Sequence, residues 1–139
     1  MSRIRVLVVD DSVFMRKLIV DRLSSDPEIE VVGTAASGRE ALKRIDELNP
    51  DVVTLDIVMP DMDGLTALKF IMQNKPVPVI MLSSLTSEGA EATMKALELG
   101  AVDFVAKPSA HISLDVAGSS HDIVSKVKIA AQTRGHIKR

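Results

Sequence analysis

The chain has 139 residues, of which 46% are hydrophobic and 26% charged, a balance typical of one globular domain rather than of a disordered segment. It contains no Cys, which excludes disulfides, thiolate metal sites and a cysteine nucleophile. Its net charge of −2 gives no basic surface for nucleic acid, and no apolar run approaches the roughly 20 residues that cross a membrane. The first residues do not read as a signal peptide, so we expect a cytoplasmic protein.

Five short apolar runs predict β-strands, and a segment of helical period follows each of them. The runs lie near residues 6–9, 29–32, 52–55, 79–82 and 102–105. The runs at 6–9, 52–55 and 79–82 are continuously apolar apart from Thr54, rather than alternating, which favours a parallel sheet covered by helices on both faces. We therefore predict an α/β, doubly wound (βα)5 flavodoxin-like fold with five parallel strands.

Polar caps and apolar spacing predict the helices between these strands. Ser37 with Glu40 three residues later forms a capping box, Asp63 precedes a third helix, and Thr86 or Ser87 can cap a fourth. Ser119 with Asp122 predicts the start of the fifth. The predicted inner faces are Met15, Ile19 and Leu23; Leu42, Ile45 and Leu48; Leu65, Leu68 and Met72; Ala90, Met94 and Leu97; and Ile123, Val127 and Ala130.

Polar residues gather where the predicted strands end. Asp10 and Asp11 follow the first strand, Asp56 the third, Ser83 the fourth and Lys107 the fifth. The carboxyl ends of parallel strands share one edge, so these side chains should converge there. Two carboxylates about 4 Å apart repel by roughly 4 kcal/mol at an effective dielectric near 20. Either one carboxyl group takes up a proton or a cation binds among them. The sequence favours the cation, best Mg²⁺, with Asp56 as a nucleophile for a phosphoryl group.

Four segments carry a resemblance to the receiver domains of two-component response regulators. They are Val8 to Ser12, Leu55 to Gly64, Met81 to Ser84 and Gly100 to Pro108, in the family's order and spacing. The resemblance implies that Asp10, Asp11, Asp56 and the backbone carbonyl of Val58 hold Mg²⁺. It also implies that a sensor histidine kinase phosphorylates Asp56 and that Ser83 and Lys107 contact the phosphoryl group.

The same resemblance implies two further features, a role for Phe104 and the conformation of one peptide bond. Phe104 occupies the aromatic switch position, where a ring can swing inward when Ser83 moves; judged by itself, Phe104 reads as a core side chain. The resemblance also implies a cis peptide bond between Lys107 and Pro108.

A narrower resemblance is to the amino-terminal receiver of chemotaxis protein-glutamate methylesterases, which also act as glutamine deamidases. It rests on Leu82 to Thr86, Gly89 to Leu97, Lys107 to Ser109 and Ile112 to Asp115, and on a long connection at about 108–118. It implies a receiver over 1–133 and the start of a linker at 134–139. It further implies a chemotaxis kinase as phosphodonor and chemoreceptors as indirect partners. It also implies a hydrolase output domain that is absent from this chain. The receiver by itself would then carry only self-phosphorylation and self-dephosphorylation chemistry.

Other interpretations remain open at this point. The chain could be a stand-alone or other-output response regulator that acts by protein contact. An aspartyl-phosphate phosphatase would need a second carboxylate two residues after Asp56, where Val58 stands. A P-loop is disfavoured because Arg39 and Glu40 replace its Lys and Ser/Thr, and a zinc site would have to use His111, His121 and His136.

Overall fold

The computed structural model describes residues 3–59, 62–83, 87–107 and 123–133. Within these ranges five strands alternate with five helices, which confirms the predicted (βα)5 order. The elements are β1 Ile4–Val9, α1 Val13–Ser24, β2 Ile29–Ala35, α2 Gly38–Leu48, β3 Val52–Asp56, α3 Gly64–Asn74, β4 Val79–Ser83, α4 Ser87–Leu99, β5 Asp103–Ala106 and α5 Ile123–Ala131.

The strands form one parallel sheet in the order β2-β1-β3-β4-β5. β1 pairs with β2 on one side and β3 on the other, so the direction of winding reverses between them. In such a sheet the carboxyl ends of the strands on either side of the reversal border a crevice. The carboxyl ends of β1 and β3 are therefore where a ligand site is expected.

Helices cover the sheet on both faces, as the continuous apolar strands predict. Along β3, Val53 and Leu55 pack with α2, α3 and α4, whereas Val52 packs with α1 and α5. The three central strands are almost completely buried because both of their faces carry a helical layer. None of the helices in the described ranges is long and apolar enough to cross a membrane.

The predicted caps at Ser37 and Asp63 are confirmed. Ser37 Oγ accepts a hydrogen bond from the Glu40 N–H at 3.2 Å, and Asp63 Oδ1 accepts one from the Thr66 N–H at 2.8 Å. Glu40 reaches back to the Ala36 N–H rather than to Ser37 itself, one residue earlier than in a standard capping box. Thr86, Ser119 and Asp122 lie outside the described residues.

The predicted inner face of α4 is wrong at Ala90 and Met94, whereas Leu97 packs against the core as predicted. Met94 is 62% exposed and Ala90 is also exposed, whereas Gly89, Thr93 and Ala96 face the core. Thr93 can be buried because its hydroxyl donates a hydrogen bond to the Gly89 carbonyl at 2.8 Å, which leaves no unpaired polar group. Small inward residues therefore set the rotation of this helix, against the hydrophobicity of Met94.

Candidate functional site

The carboxyl edge of the sheet brings together Asp10, Asp56, Ser83 and Lys107. Lys107 Nζ lies 2.9 Å from Asp56 Oδ1 and 3.9 Å from Asp10 Oδ2, so one ammonium group bridges two carboxylates. Ser83 is buried, and its backbone carbonyl accepts a hydrogen bond from the Lys107 N–H at 2.8 Å. The convergence expected from parallel strand ends is therefore present in the fold.

Asp10 is fixed in place by three separate hydrogen bonds. Its N–H donates to the Ala35 carbonyl at 3.0 Å, its Oδ1 accepts from the Ser12 N–H at 2.9 Å, and its carbonyl accepts from Arg16 Nη1 at 2.7 Å. Sequence reasoning missed Arg16, whose position in the first turn after the Ser12 cap was the available signal. The remaining atom, Asp10 Oδ2, is left to face the crevice.

Three carboxylates come close enough to share a metal ion. One oxygen each of Asp10, Asp11 and Asp56 lies within 4.8 Å of the others; Asp11 is exposed, whereas Asp10 and Asp56 are 0% and 1% exposed. Among the described residues, Asp10 Oδ2 and Asp56 Oδ2 are buried and have no hydrogen-bond partner. Buried, unpaired carboxylate oxygens are costly unless a cation binds them, so this donor set fits a hard divalent ion such as Mg²⁺.

Burial dominates the electrostatics of these two aspartates. It raises the pKa of Asp56 to about 6, since the hydrogen bond from Lys107 offsets only part of the desolvation and the Asp10 charge adds to it. Burial likewise raises the pKa of Asp10, opposed by the Ser12 N–H and by Lys107. The site therefore holds negative charge at a free-energy cost that an incoming cation would relieve.

The loop after β3 presents Asp56 to the crevice. The Val58 N–H lies 3.3 Å from Asp56 Oδ1, and the Gly64 N–H donates to the Ile57 carbonyl at 2.7 Å. A Cβ on Gly64 would overlap the Asp56 carbonyl oxygen, so only glycine lets the start of α3 approach this loop. A cavity of about 290 Å³ opens beside Asp56 and is bordered by Lys107 and by Gly89 and Ala92 of α4.

Phe104 lies on the exposed edge strand β5 and is 39% exposed, so its interpretation as a core side chain is wrong. The edge position explains the difference, because no strand of the described residues pairs with the outer side of β5 and the ring packs instead beneath Lys126. The peptide bond between Lys107 and Pro108 and the connection at 108–118 lie outside the described residues.

Comparison with known proteins agrees with this geometry. The family profile of the response regulator receiver domain matches residues 6–117. The chain belongs to the response regulator receiver family. This receiver is similar to the solved response regulator domain of Thermotoga maritima CheB, with a TM-score of 0.82 and 49% identity over 94% of this chain and 97% of the other.

Its curated relatives are longer proteins. The receiver is 54% identical over 138 residues to a protein-glutamate methylesterase/protein-glutamine glutaminase of Carboxydothermus hydrogenoformans, covering 99% of this chain and 39% of the relative. It is 57% identical over 130 residues to one of Pyrococcus abyssi, covering 94% of this chain and 35% of the relative. The chain thus spans less than two-fifths of the length of each of these relatives.

A second solved structure bears on the cation. The receiver is 40% identical, with a TM-score of 0.70, to a chain of the CheX-CheY-BeF3-Mg complex from Borrelia burgdorferi, over 78% of this chain and 81% of that one. That complex contains Mg²⁺ and a beryllofluoride group. In this receiver the candidate cation site is the acidic cluster of Asp10, Asp11 and Asp56.

Proposed function

We propose that this receiver is switched by transfer of a phosphoryl group from a phosphohistidine of a sensor histidine kinase to Asp56. The observation that carries the proposal is the buried pair Asp10 and Asp56, which Lys107 bridges and whose Oδ2 atoms accept no hydrogen bond among the described residues. This arrangement is costly as a structural element but suits a site that binds a cation and a phosphoryl group.

The carboxylates of Asp10, Asp11 and Asp56 and the backbone carbonyl of Val58 would hold Mg²⁺. When bound, the ion would neutralise the carboxylates and the negative charge of the phosphoryl oxygens. Asp10 contributes a pre-oriented oxygen, because its other polar atoms are held by Ala35, Ser12 and Arg16.

The transfer itself needs a nucleophile and a counter-charge from the protein. A carboxylate oxygen of Asp56 attacks phosphorus in line, forming an acyl phosphate as the bond from phosphorus to the histidine nitrogen breaks. Lys107 is already 2.9 Å from Asp56 and is placed to follow the new phosphoryl oxygens, and the Ser83 hydroxyl would donate to them. Phe104 would then turn inward as Ser83 moves and change the surface formed by α4, β5 and α5.

The output of this switch is proposed from the relatives. Their names and the identity of 54–57% favour a chemotaxis methylesterase and glutamine deamidase, with a receiver over 1–133, a linker from 134 and a hydrolase domain beyond it. Chemotaxis kinase and chemoreceptors would be its direct and indirect partners in the cytoplasm. Phosphatase chemistry is disfavoured because Val58 stands where an acid–base group is needed and has no ionisable side chain.

The proposal is tested by labelling with acetyl phosphate and Mg²⁺, followed by intact-mass measurement and hydroxylamine treatment. We expect one acid-stable, base-labile phosphoryl group in the native chain, none in Asp56→Asn, and strong loss when EDTA removes the metal. Asp26→Asn is the matched control, because it removes a carboxylate that also contacts a lysine but lies away from the site. Full labelling of Asp56→Asn would refute the assignment of the phosphoacceptor.

The output is tested separately in the longer protein that contains a hydrolase domain. Hydrolysis of receptor methyl esters should rise on phosphorylation of the native protein and stay at its basal rate in Asp56→Asn. A basal rate that phosphorylation leaves unchanged would favour a receiver that acts by other contacts.

A further inference from the structure

One lysine makes three contacts with the segment that contains Phe104. Lys126 Nζ donates to the Phe104 carbonyl at 2.7 Å, lies 3.3 Å from Asp103 Oδ1 and lies 5.0 Å from the centroid of the Phe104 ring. Its side chain is 12% exposed, whereas Phe104 is 39% exposed. The charged residue is thus better buried than the aromatic residue that it covers, the reverse of the usual order.

The Lys126 side chain and the Phe104 ring belong to opposite faces of the sheet. Phe104 pairs with Met81, which packs with α3 and α4, whereas Val105 packs with α5 on the opposite face. Alternation along a strand therefore places Phe104 on the α4 face. Lys126 belongs to α5, so its long side chain must pass around the outer edge of β5, the end strand of the sheet as described, to reach the ring.

A cavity lies on the same face of the sheet as the Phe104 ring. The cavity of about 290 Å³ beside Asp56 is bordered on this side by Gly89 and Ala92 of α4. A cavity of roughly 150 Å³ holds a benzene ring, so the space is sufficient for a phenyl group. Phe104 thus has an exposed position next to Lys126, and space large enough for a ring exists on the same face of the sheet, between α4 and Asp56.

We infer that Lys126 is a positioning residue that holds the Phe104 ring in its exposed position. It thereby sets the free energy that phosphorylation must supply to turn the ring inward. The contacts of Lys126 with Asp103 Oδ1 and with the Phe104 carbonyl involve groups that need not move with the ring. Only the contact of the ammonium with the ring is lost when the ring turns inward, so this contact favours one state over the other. The inference rests on the proposed function, because it assigns the regulation of that same site.

The ring position can be read directly by NMR, because the chain has three Phe and no Trp or Tyr. In the resting protein, Lys126→Met keeps an apolar stem but removes the charge, and we expect the Phe104 ring resonances to shift toward those of the beryllofluoride-bound native protein. Lys126→Arg keeps a cation over the ring and should restore the native resonances. Lys128→Met, on the same helix but paired with Asp26 and Glu28, is the matched control and should leave them unchanged.

The second readout is a titration with beryllofluoride and Mg²⁺. Lys126→Met should lower the midpoint about two- to fivefold, the equilibrium effect of one cation–π contact, and Lys126→Arg should return it to the native value. Native ring resonances together with a native midpoint in Lys126→Met would overturn the inference, as would a raised midpoint. If the native protein itself bound no beryllofluoride, the proposed function would fail, and the resting ring resonances would still decide whether Lys126 holds Phe104.

Discussion

Two clusters of carboxylates and lysine lie at opposite ends of the sheet and show opposite electrostatics. At the carboxyl edge, Lys107 is 2.9 Å from Asp56; at the amino edge, Lys128 is 2.8 Å from Asp26 and 2.9 Å from Glu28. Burial raises the pKa of Asp56 to about 6, whereas the hydrogen bond from Lys128 lowers the pKa of Asp26. The ion-pair distances are nearly equal, so distance does not cause the difference.

Solvent access explains why the pKa of Asp56 is raised and that of Asp26 is lowered. Asp56 is 1% exposed and lies next to buried Asp10, so desolvation and a second negative charge outweigh one lysine. The Asp26 side chain is 18% exposed, and Lys128 together with the Glu28 N–H satisfies its oxygens. The amino-edge cluster is therefore complete as it stands, whereas the carboxyl-edge cluster lacks positive charge, which is the property expected of a binding site.

The largest expected effect is on Asp56 in protein freed of metal. Its folded-state pKa lies above its unfolded value of 3.8, so the folded state binds more protons and stability falls as pH rises from about 4 to about 6. Asp56→Asn removes this cost and should raise the free energy of unfolding at pH 7 by about 2–3 kcal/mol, with little difference near pH 3. Urea unfolding in EDTA at several pH values measures both quantities.

Asp10→Asn provides a comparison within the same cluster, because burial also raises the pKa of Asp10. It should change stability with pH in the same direction as Asp56→Asn. An Asp56→Asn variant that is less stable than native protein at pH 7 without metal would show that Lys107 already compensates the buried charge.

A smaller effect is expected at Thr54, in the middle of β3 below the site. Thr54 is completely buried, and its Oγ1 has no hydrogen-bond partner among the described residues. It resembles Asp56 Oδ2 in being buried and unpaired but carries no charge, so it isolates the cost of burying a polar atom. Thr54→Val should raise the free energy of unfolding by about 1 kcal/mol in urea titrations.

Thr93→Val is the matched control for this substitution. Thr93 is also buried, but its hydroxyl donates to the Gly89 carbonyl at 2.8 Å. Removing a paired hydroxyl should bring no gain in stability. Equal stabilisation by both substitutions would mean that hydrogen bonding is not what distinguishes the two threonines.

The sequence predicted the carboxyl edge well and the rest of the surface poorly, for a physical reason. Asp10, Asp56, Ser83 and Lys107 each follow a predicted strand, and parallel topology alone carries such residues to one edge. Arg16 and Lys126 were missed because each donates a hydrogen bond to a backbone carbonyl of another segment. No rule of residue spacing predicts such a contact.

The error at Met94 has a related origin. Hydropathy assigns Met to the inner face of α4, but the helix packs through Gly89, Ala92 and Thr93, whose small size decides its rotation. Local patterns predicted which elements form, whereas close packing between elements decided which face is buried.

The smallest expected effect is at the amino edge, where an Asp→Asn substitution should lower stability rather than raise it. The folded-state pKa of Asp26 is lowered, so its contribution to stability is present above the unfolded pKa and is lost as pH falls through the lowered value. Asp26→Asn keeps an oxygen to accept from the Glu28 N–H at 2.8 Å and removes only the charge that pairs with Lys128. At neutral pH we expect Tm to fall by about 2 °C, less so at high salt, because ion pairs that solvent reaches are weak and screened. A rise in Tm, as expected for Asp56→Asn, would show that solvent access does not separate the two clusters and would remove the electrostatic reason for placing the cation at the carboxyl edge.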